Sequence, residues 1–176
     1  PYNGFAQVAL AVGAKLTNKR FTMFLSKGDH NISYRARMYG ANIQIYKDYP
    51  LKDLQRVAEE YAKKNGAYLI PFGLDDEIFK EELYKSIRTN WDEKFKPKRI
   101  WVVAGSATLL RVLYKIFPTN VFFNVVQVGI TVWKDLLDES RSKLYIAPQK
   151  LFNDIDEIPP YPTVLSYDGN VWRFVE

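Results

Sequence analysis

RIWVVAGSATLLRVLYKIF, residues Arg99 to Phe117, is the stretch on which the fold turns. Ile100 to Val103 form a compact β-branched and aromatic run, the composition of a buried strand. Gly105-Ser106-Ala107-Thr108 follows as a turn of small residues. Leu109, Leu110, Val112, Leu113 and Ile116 then recur at spacings of one, three and four, which gives one apolar face to a short helix. A strand that runs through small residues into a helix leaves backbone N–H groups free at the helix start. With the Ser106 and Thr108 hydroxyls, those groups suit an anion such as phosphate. The same turn also serves merely to pack strand against helix, and both readings stand at this point. The loop is neither a Walker A sequence nor G-x-G-x-x-G.

Outward from this unit, strand and helix patterns alternate. Towards the N-terminus, Asn3-Gly4 opens FAQVALAVGAKL, which reads as a buried helix beginning at an Asn or Gly cap. Arg20 to Leu25 is a short strand, Ile32 to Tyr39 predicts one or two helical turns stopped by Gly40, and Asn42 to Tyr46 alternates as a half-buried strand does. Pro50 to Asn65 is the clearest helix, with a proline in its first turn, Lys63-Lys64 at its end and Gly66 beyond. Ala67 to Pro71 reads as a strand leading to Gly73, and Asp75-Asp76-Glu77 open a helix running to about Asn90. Towards the C-terminus, Phe122 to Val128 is a buried strand closed by Gly129. Lys143 to Ala147 and Val164 to Tyr167 read as further strands. Pro159-Pro160-Tyr161-Pro162 is a rigid connector, and Asp168-Gly169 is a hairpin turn before Val171 to Val175.

This order predicts an α/β fold: a three-layer sandwich, Rossmann-like, with a mostly parallel sheet and a C-terminal β hairpin. Residues 1–176 are expected to form a single domain, large enough to bury a core. Ligands in such sheets sit beyond the carboxyl ends of the strands. Gly73, Gly105 and Gly129 each close a predicted strand, so their loops are expected to converge there.

Composition bounds the rest. Apolar residues make up 47% and aromatic residues 15% of the 176, which is the range of globular proteins. The net charge of +5, from 25 basic and 20 acidic residues, is mild and spread along the chain. The absence of cysteine rules out disulfides and thiolate chemistry, and agrees with a reducing, cytoplasmic setting. No apolar run approaches the roughly 20 residues of a spanning helix. No signal peptide pattern precedes the first helix, and no membrane association is expected. The first residue is Pro1, which a processed start and a cut chain would explain equally.

Few side chains offer catalysis outright. The single histidine, His30, lies in a polar loop and has no G-x-S-x-G sequence to partner it. A metal would have to rest on carboxylates, and capping accounts better for Asp75, Asp76 and Glu77. The tryptophans Trp91, Trp101, Trp133 and Trp172 are interspersed with strands and read as mostly core.

Taken together, NGFAQVALAVGAKL, the strand Arg20 to Leu25, YGANIQIY, a helix, AYLIPFG, VVAGSATLLRVL and FFNVVQVG resemble, in order and spacing, fold type II pyridoxal-phosphate-dependent enzymes. These are the tryptophan synthase β-like group, with its cysteine-desulfhydrase, aminocyclopropane-carboxylate-deaminase and threonine-synthase branches. The resemblance covers roughly Asn3 to Gly129 and leaves 130–176 as a C-terminal extension. It implies pyridoxal phosphate as cofactor and lyase or synthase chemistry on an amino acid. Asn3 would contact the pyridine oxygen, Gly105, Ser106 and Thr108 would hold the phosphate, and Gly73 would stand near the substrate. The chain departs from the family in three ways. Ala107 interrupts the consecutive glycines, Leu110-Arg111 stands where small residues usually follow, and neither Lys15 nor Lys19 matches the Schiff-base lysine, which the family carries upstream of its asparagine. A missing N-terminal segment or a second chain would then supply the lysine; otherwise the reaction has been lost. Two other functions remain open: a non-catalytic domain that binds a phosphorylated metabolite or nucleotide, and a basic module that binds nucleic acid or protein.

Overall fold

In the computed structural model, which describes residues 6–27, 31–129, 132, 134–148, 158–165 and 167–175, helices and parallel strands alternate along the chain. The chain divides into two units, Pro1–Ile70 and Pro71–Glu176.

In the first unit, α1 (Ala6–Leu16), β1 (Thr22–Leu25), α2 (Asn31–Met38), β2 (Asn42–Ile45) and α3 (Leu51–Asn65) follow in order. β1 and β2 pair in parallel, from Thr22 opposite Asn42 to Leu25 opposite Ile45. Met23 and Leu25 point to one side of β1 and pack with Ala11 of α1, and with Ala36 and Ala41. Phe24 points to the other, where the Tyr61 ring of α3 meets it edge-on at 5.3 Å. α3 ends as its sequence requires: Gly66 takes φ +57°, and its N–H caps the Ala62 carbonyl. α1 is less buried than its composition implies. Gln7 and Ala11 are covered, whereas Leu16 is 82% exposed. Apolar residues all round a helix do not select a face, and here only the small-residue side is packed.

The segment Ala67 to Pro71 pairs with no strand among the described residues, contrary to expectation. Its side chains Tyr68, Leu69 and Ile70 are exposed. A strand exists through its partner, and apolar composition alone does not provide one.

In the second unit, α4 (Glu77–Asn90) precedes β3 (Arg99–Ala104), α5 (Thr108–Ile116), β4 (Phe122–Gln127) and β5 (Ser142–Ile146). Asp76 caps α4 by accepting the Phe79 N–H at 3.0 Å. The strands form one sheet in the order β3-β4-β5, every pair parallel. Alternation then sorts the side chains. Val102, Ala104, Phe123 and Val125 pack with Leu110 of α5 on one face, and α4 lies against α5. Trp101, Val103 and Val126 pack with Val171, Phe174 and Val175 on the other. Within this unit the chain therefore builds three layers: helices, parallel sheet and C-terminal segment.

That third layer corrects the predicted hairpin. Asp168–Phe174 form a 3-10 helix, and Val164, Leu165 and Tyr167 lie in no strand. The Asp168 carboxylate accepts the Val164 N–H at 2.7 Å, and the Tyr167 and Gly169 N–H groups donate to the Val164 carbonyl. These bonds wind the chain instead of reversing it. Val171, Phe174 and Val175 are three and one apart, a helical spacing that lets all three reach the sheet.

Candidate functional site at the carboxyl end of the parallel strands

β3 ends at Ala104, which is paired with Gln127 of β4. Because the strands are parallel and in register, the Gly105 and Gly129 turns lie at the same end of the sheet. Gly129 takes φ +75°. The third glycine joins the Gly105 loop through its backbone. The Thr108 hydroxyl donates to the Gly73 carbonyl at 2.9 Å, the Ser106 hydroxyl donates to it at 3.3 Å, and the two hydroxyl oxygens lie 3.0 Å apart.

The approach is too close for any other residue at 73. Gly73 has φ +72°, and a Cβ there would stand 2.2 Å from the Ser106 Cβ. Ala107, at the start of α5, also lies in the left-handed region, at φ +59° and ψ +13°. The loop thus keeps a backbone shape that glycine adopts freely, at a position where the sequence has alanine. Gly105 is approached from the C-terminal segment: a Cβ on it would sit 3.1 Å from the Tyr167 hydroxyl. Burial pushes that hydroxyl above the usual tyrosine range, the Gly105 backbone opposes the shift, and the Asp168 charge adds to it.

An ion-pair cluster braces the same turn. Arg111, in the first turn of α5, brings Nη2 to 2.5 Å from Asp75, whose other partner is Lys80 at 3.1 Å. Lys80 also bonds Glu77. The Arg111 guanidinium beside Asp75 holds its carboxyl below the usual carboxylate range; partial burial opposes this and Lys80 reinforces it. The Arg111 contact is a close charge pair without hydrogen-bond alignment, and its Nε is buried with no hydrogen-bond partner among the described residues.

Of the predicted site residues, Gly73, Gly105, Ser106 and Thr108 therefore meet in one place. Asn3 and His30 lie outside the described residues. The Asp75-Asp76-Glu77 run divides its work, Asp76 capping α4 while Asp75 reaches α5. Sequence reasoning missed the Arg111–Asp75 pair, for which a charge in the first turn of an apolar helix was the available signal. It also missed Tyr167, for which there was none. Both departures at Leu110-Arg111 have structural uses: Leu110 is fully buried in the core and Arg111 ties down the Gly73 turn.

No protein-family model and no curated protein matches this sequence. Solved structures do. A threonine deaminase from T.th. superposes with a TM-score of 0.54 at 21% identity, over 72% of this chain and 42% of its own. The diaminopropionate ammonia lyase of Escherichia coli superposes in its holo form with a TM-score of 0.51 at 15% identity, over 70% of this chain and 36% of its own. Its apo form gives 0.51 at 14% identity, over 69% and 38%. These neighbours are fold type II pyridoxal-phosphate enzymes, and the likeness shows that this chain shares their fold. The chain spans about two fifths of their length.

Proposed function

We propose that this chain is part of a pyridoxal-phosphate-dependent lyase- or synthase-like domain acting on an amino acid. The observation that carries the reading is the Gly105 loop. It lies at the carboxyl end of a parallel strand, opens a helix, holds Ala107 in a glycine-like conformation and gathers Gly73 onto its two hydroxyls. Such a loop fits a phosphate through its backbone, since the first N–H groups of a helix have no partner within it. Both hydroxyls donate their single proton to Gly73 and so shape the loop, which leaves the backbone N–H groups to hold the anion.

When bound, pyridoxal phosphate would supply an electron sink for chemistry on the amino-acid substrate. The chain's own residues bind and orient. Amides of Gly105 to Thr108 hold the phosphate, the Gly73 carbonyl fixes the hydroxyls, and Arg111 with Asp75 keeps the turn in place. Asn3 would contact the pyridine oxygen and Gly73 would stand near the substrate, as the resemblance implies. A lysine is also required, and a preceding segment or a second chain would supply it. The whole of 1–176 belongs to one domain in this reading, with 130–176 as an extension of the shared fold, and the setting is cytoplasmic. Among the described residues no helix is long and apolar enough to cross a membrane.

A second reading has its own support: a non-catalytic domain binding a phosphorylated metabolite or nucleotide. The alanine at 107, where the resemblance implies glycine, favours it, and a binding domain requires no lysine. A basic interaction module has no comparable observation behind it.

Equilibrium titration of the full chain with pyridoxal phosphate, pyridoxal and inorganic phosphate, each followed by borohydride, separates these outcomes. Preference for pyridoxal phosphate over pyridoxal by tenfold or more (about 1.4 kcal/mol), lost in Thr108→Val, supports the site. A covalent adduct after reduction would place a reactive lysine within this chain. Equal binding of pyridoxal and pyridoxal phosphate would refute a phosphate site at Gly105. Phosphate binding with no preference for the pyridine ring would favour the second reading.

A further inference from the structure

Along the outer edge of β3 runs a cavity of about 500 Å³ walled by aliphatic and aromatic side chains. Trp101 of β3, Tyr161, Tyr167 and Trp172 line it, together with one acidic side chain, Asp168; aliphatic residues of β3, α5 and the C-terminal segment complete it. The Tyr161 and Trp172 rings meet edge to face, at 82° to one another with centroids 6.0 Å apart. The Trp101 ring packs against Tyr145 at 5.2 Å, and Tyr145 in turn against Phe174 at 5.2 Å. The Asp168 carboxylate is held in place by the Val164 N–H, and no lysine or arginine among the described residues forms an ion pair with it. Burial pushes the Tyr161 hydroxyl above the usual tyrosine range, and the Asp168 charge adds to the shift.

We propose that Trp101, Tyr161, Tyr167, Trp172 and Asp168 form a binding site for a small methylated ammonium ion. Ring faces carry negative quadrupole potential, and a cation without N–H donors is stabilised by them with no hydrogen bond left unmade. A primary ammonium has three donors to satisfy, and Asp168 is the one charged acceptor that the lining offers them. A neutral apolar ligand would gain from burial but nothing from Asp168. An anion would meet both the carboxylate and the ring faces unfavourably. The volume suits a small organic molecule, whose usual pockets are of this size. The site is separate from the phosphate reading, although Tyr167 borders both.

The test uses the full chain, choline as probe, and its neutral isostere 3,3-dimethylbutan-1-ol, with tryptophan fluorescence and calorimetry as readouts. Choline is expected to bind about tenfold more tightly than the isostere, the factor that partly solvated cation–π contacts and the Asp168 charge supply together. Asp168→Asn keeps an oxygen for the Val164 N–H and removes the charge. That variant and Trp172→Leu should each weaken choline binding by about tenfold while leaving the far-ultraviolet circular dichroism unchanged. Equal affinity for choline and the isostere would reduce the cavity to an apolar groove and overturn the proposal. So would no binding of choline at tens of millimolar, or unchanged binding by a folded Asp168→Asn. The comparison of the two ligands on the unmodified chain decides the matter even where a variant fails to fold.

Discussion

Gly73 and Ala107 present opposite cases of one backbone constraint. Both lie at positive φ, yet only one is glycine. At Gly73 an alanine would suffer twice, from the left-handed backbone and from a Cβ 2.2 Å from that of Ser106. Gly73→Ala should therefore cost on the order of 2–3 kcal/mol, more than the strain of the backbone alone, because two loop backbones must separate to admit the methyl group. At Ala107 the penalty is already present in the native chain. Ala107→Gly should stabilise by roughly 0.5–1 kcal/mol, the relief of left-handed alanine less the extra freedom of glycine in the unfolded chain. Chemical denaturation of the two variants checks both signs. A neutral Gly73→Ala would mean that the loops do not touch, and a destabilising Ala107→Gly would mean that residue 107 is not left-handed. The residue types of the loop were legible in the sequence, because small side chains and hydroxyls announce it. Which oxygen the hydroxyls would find was not, since Gly73 is 33 residues from Ser106 and nothing local encodes that meeting.

Between elements, the Gly73 turn is tied to α5 by Asp75 and Arg111, and the tie is sensitive to pH. The folded-state pKa of Asp75 is depressed, so its contribution is present above the unfolded-state value of 3.8 and is lost as pH falls through the folded value. Comparing Tm for the native chain and Asp75→Asn should give a gap at about pH 6 that starts to shrink only below about pH 4 and closes as pH falls through the depressed folded value. The carboxylate is substantially solvated, so screening limits the gap to about 1 kcal/mol. A gap that persists at low pH would assign the effect of the substitution to packing and remove the ion pair from the account. Elements with their own local signals were readable in advance: α3 through Pro50 and Gly66, α4 through its acidic start, and β3 and α5 through their apolar spacing. Those that depend on distant partners were not. Ala67 to Pro71 has strand composition but no partner strand among the described residues. The Asp168-Gly169 turn signal was overridden by the Asp168–Val164 bond and by the helical spacing of Val171, Phe174 and Val175.

At the scale of the whole chain, the two units differ in how much core each builds. The buried cluster of the first comprises Ala11, Met23, Leu25, Ala36 and Ala41, three of them alanines, behind a two-stranded sheet. The second buries Leu110, Phe117, Phe123 and seven valines in two clusters on both faces of a three-stranded sheet. Burying an alanine methyl gives well under half of what a buried leucine or phenylalanine gives, and two strands alone are marginal in water. Residues 71–176 expressed alone should therefore melt cooperatively, whereas residues 1–70 alone should show a shallow, non-cooperative loss of helix signal. Thermal melts of the two fragments by circular dichroism, compared with the intact chain, supply the check. If 1–70 melted sharply by itself, α3 and the Phe24–Tyr61 contact would have to contribute far more than the alanine-rich cluster suggests. If 71–176 failed to fold, the two faces of its sheet would need more than their own clusters, and the Gly105 loop could not be studied apart from the rest of the chain.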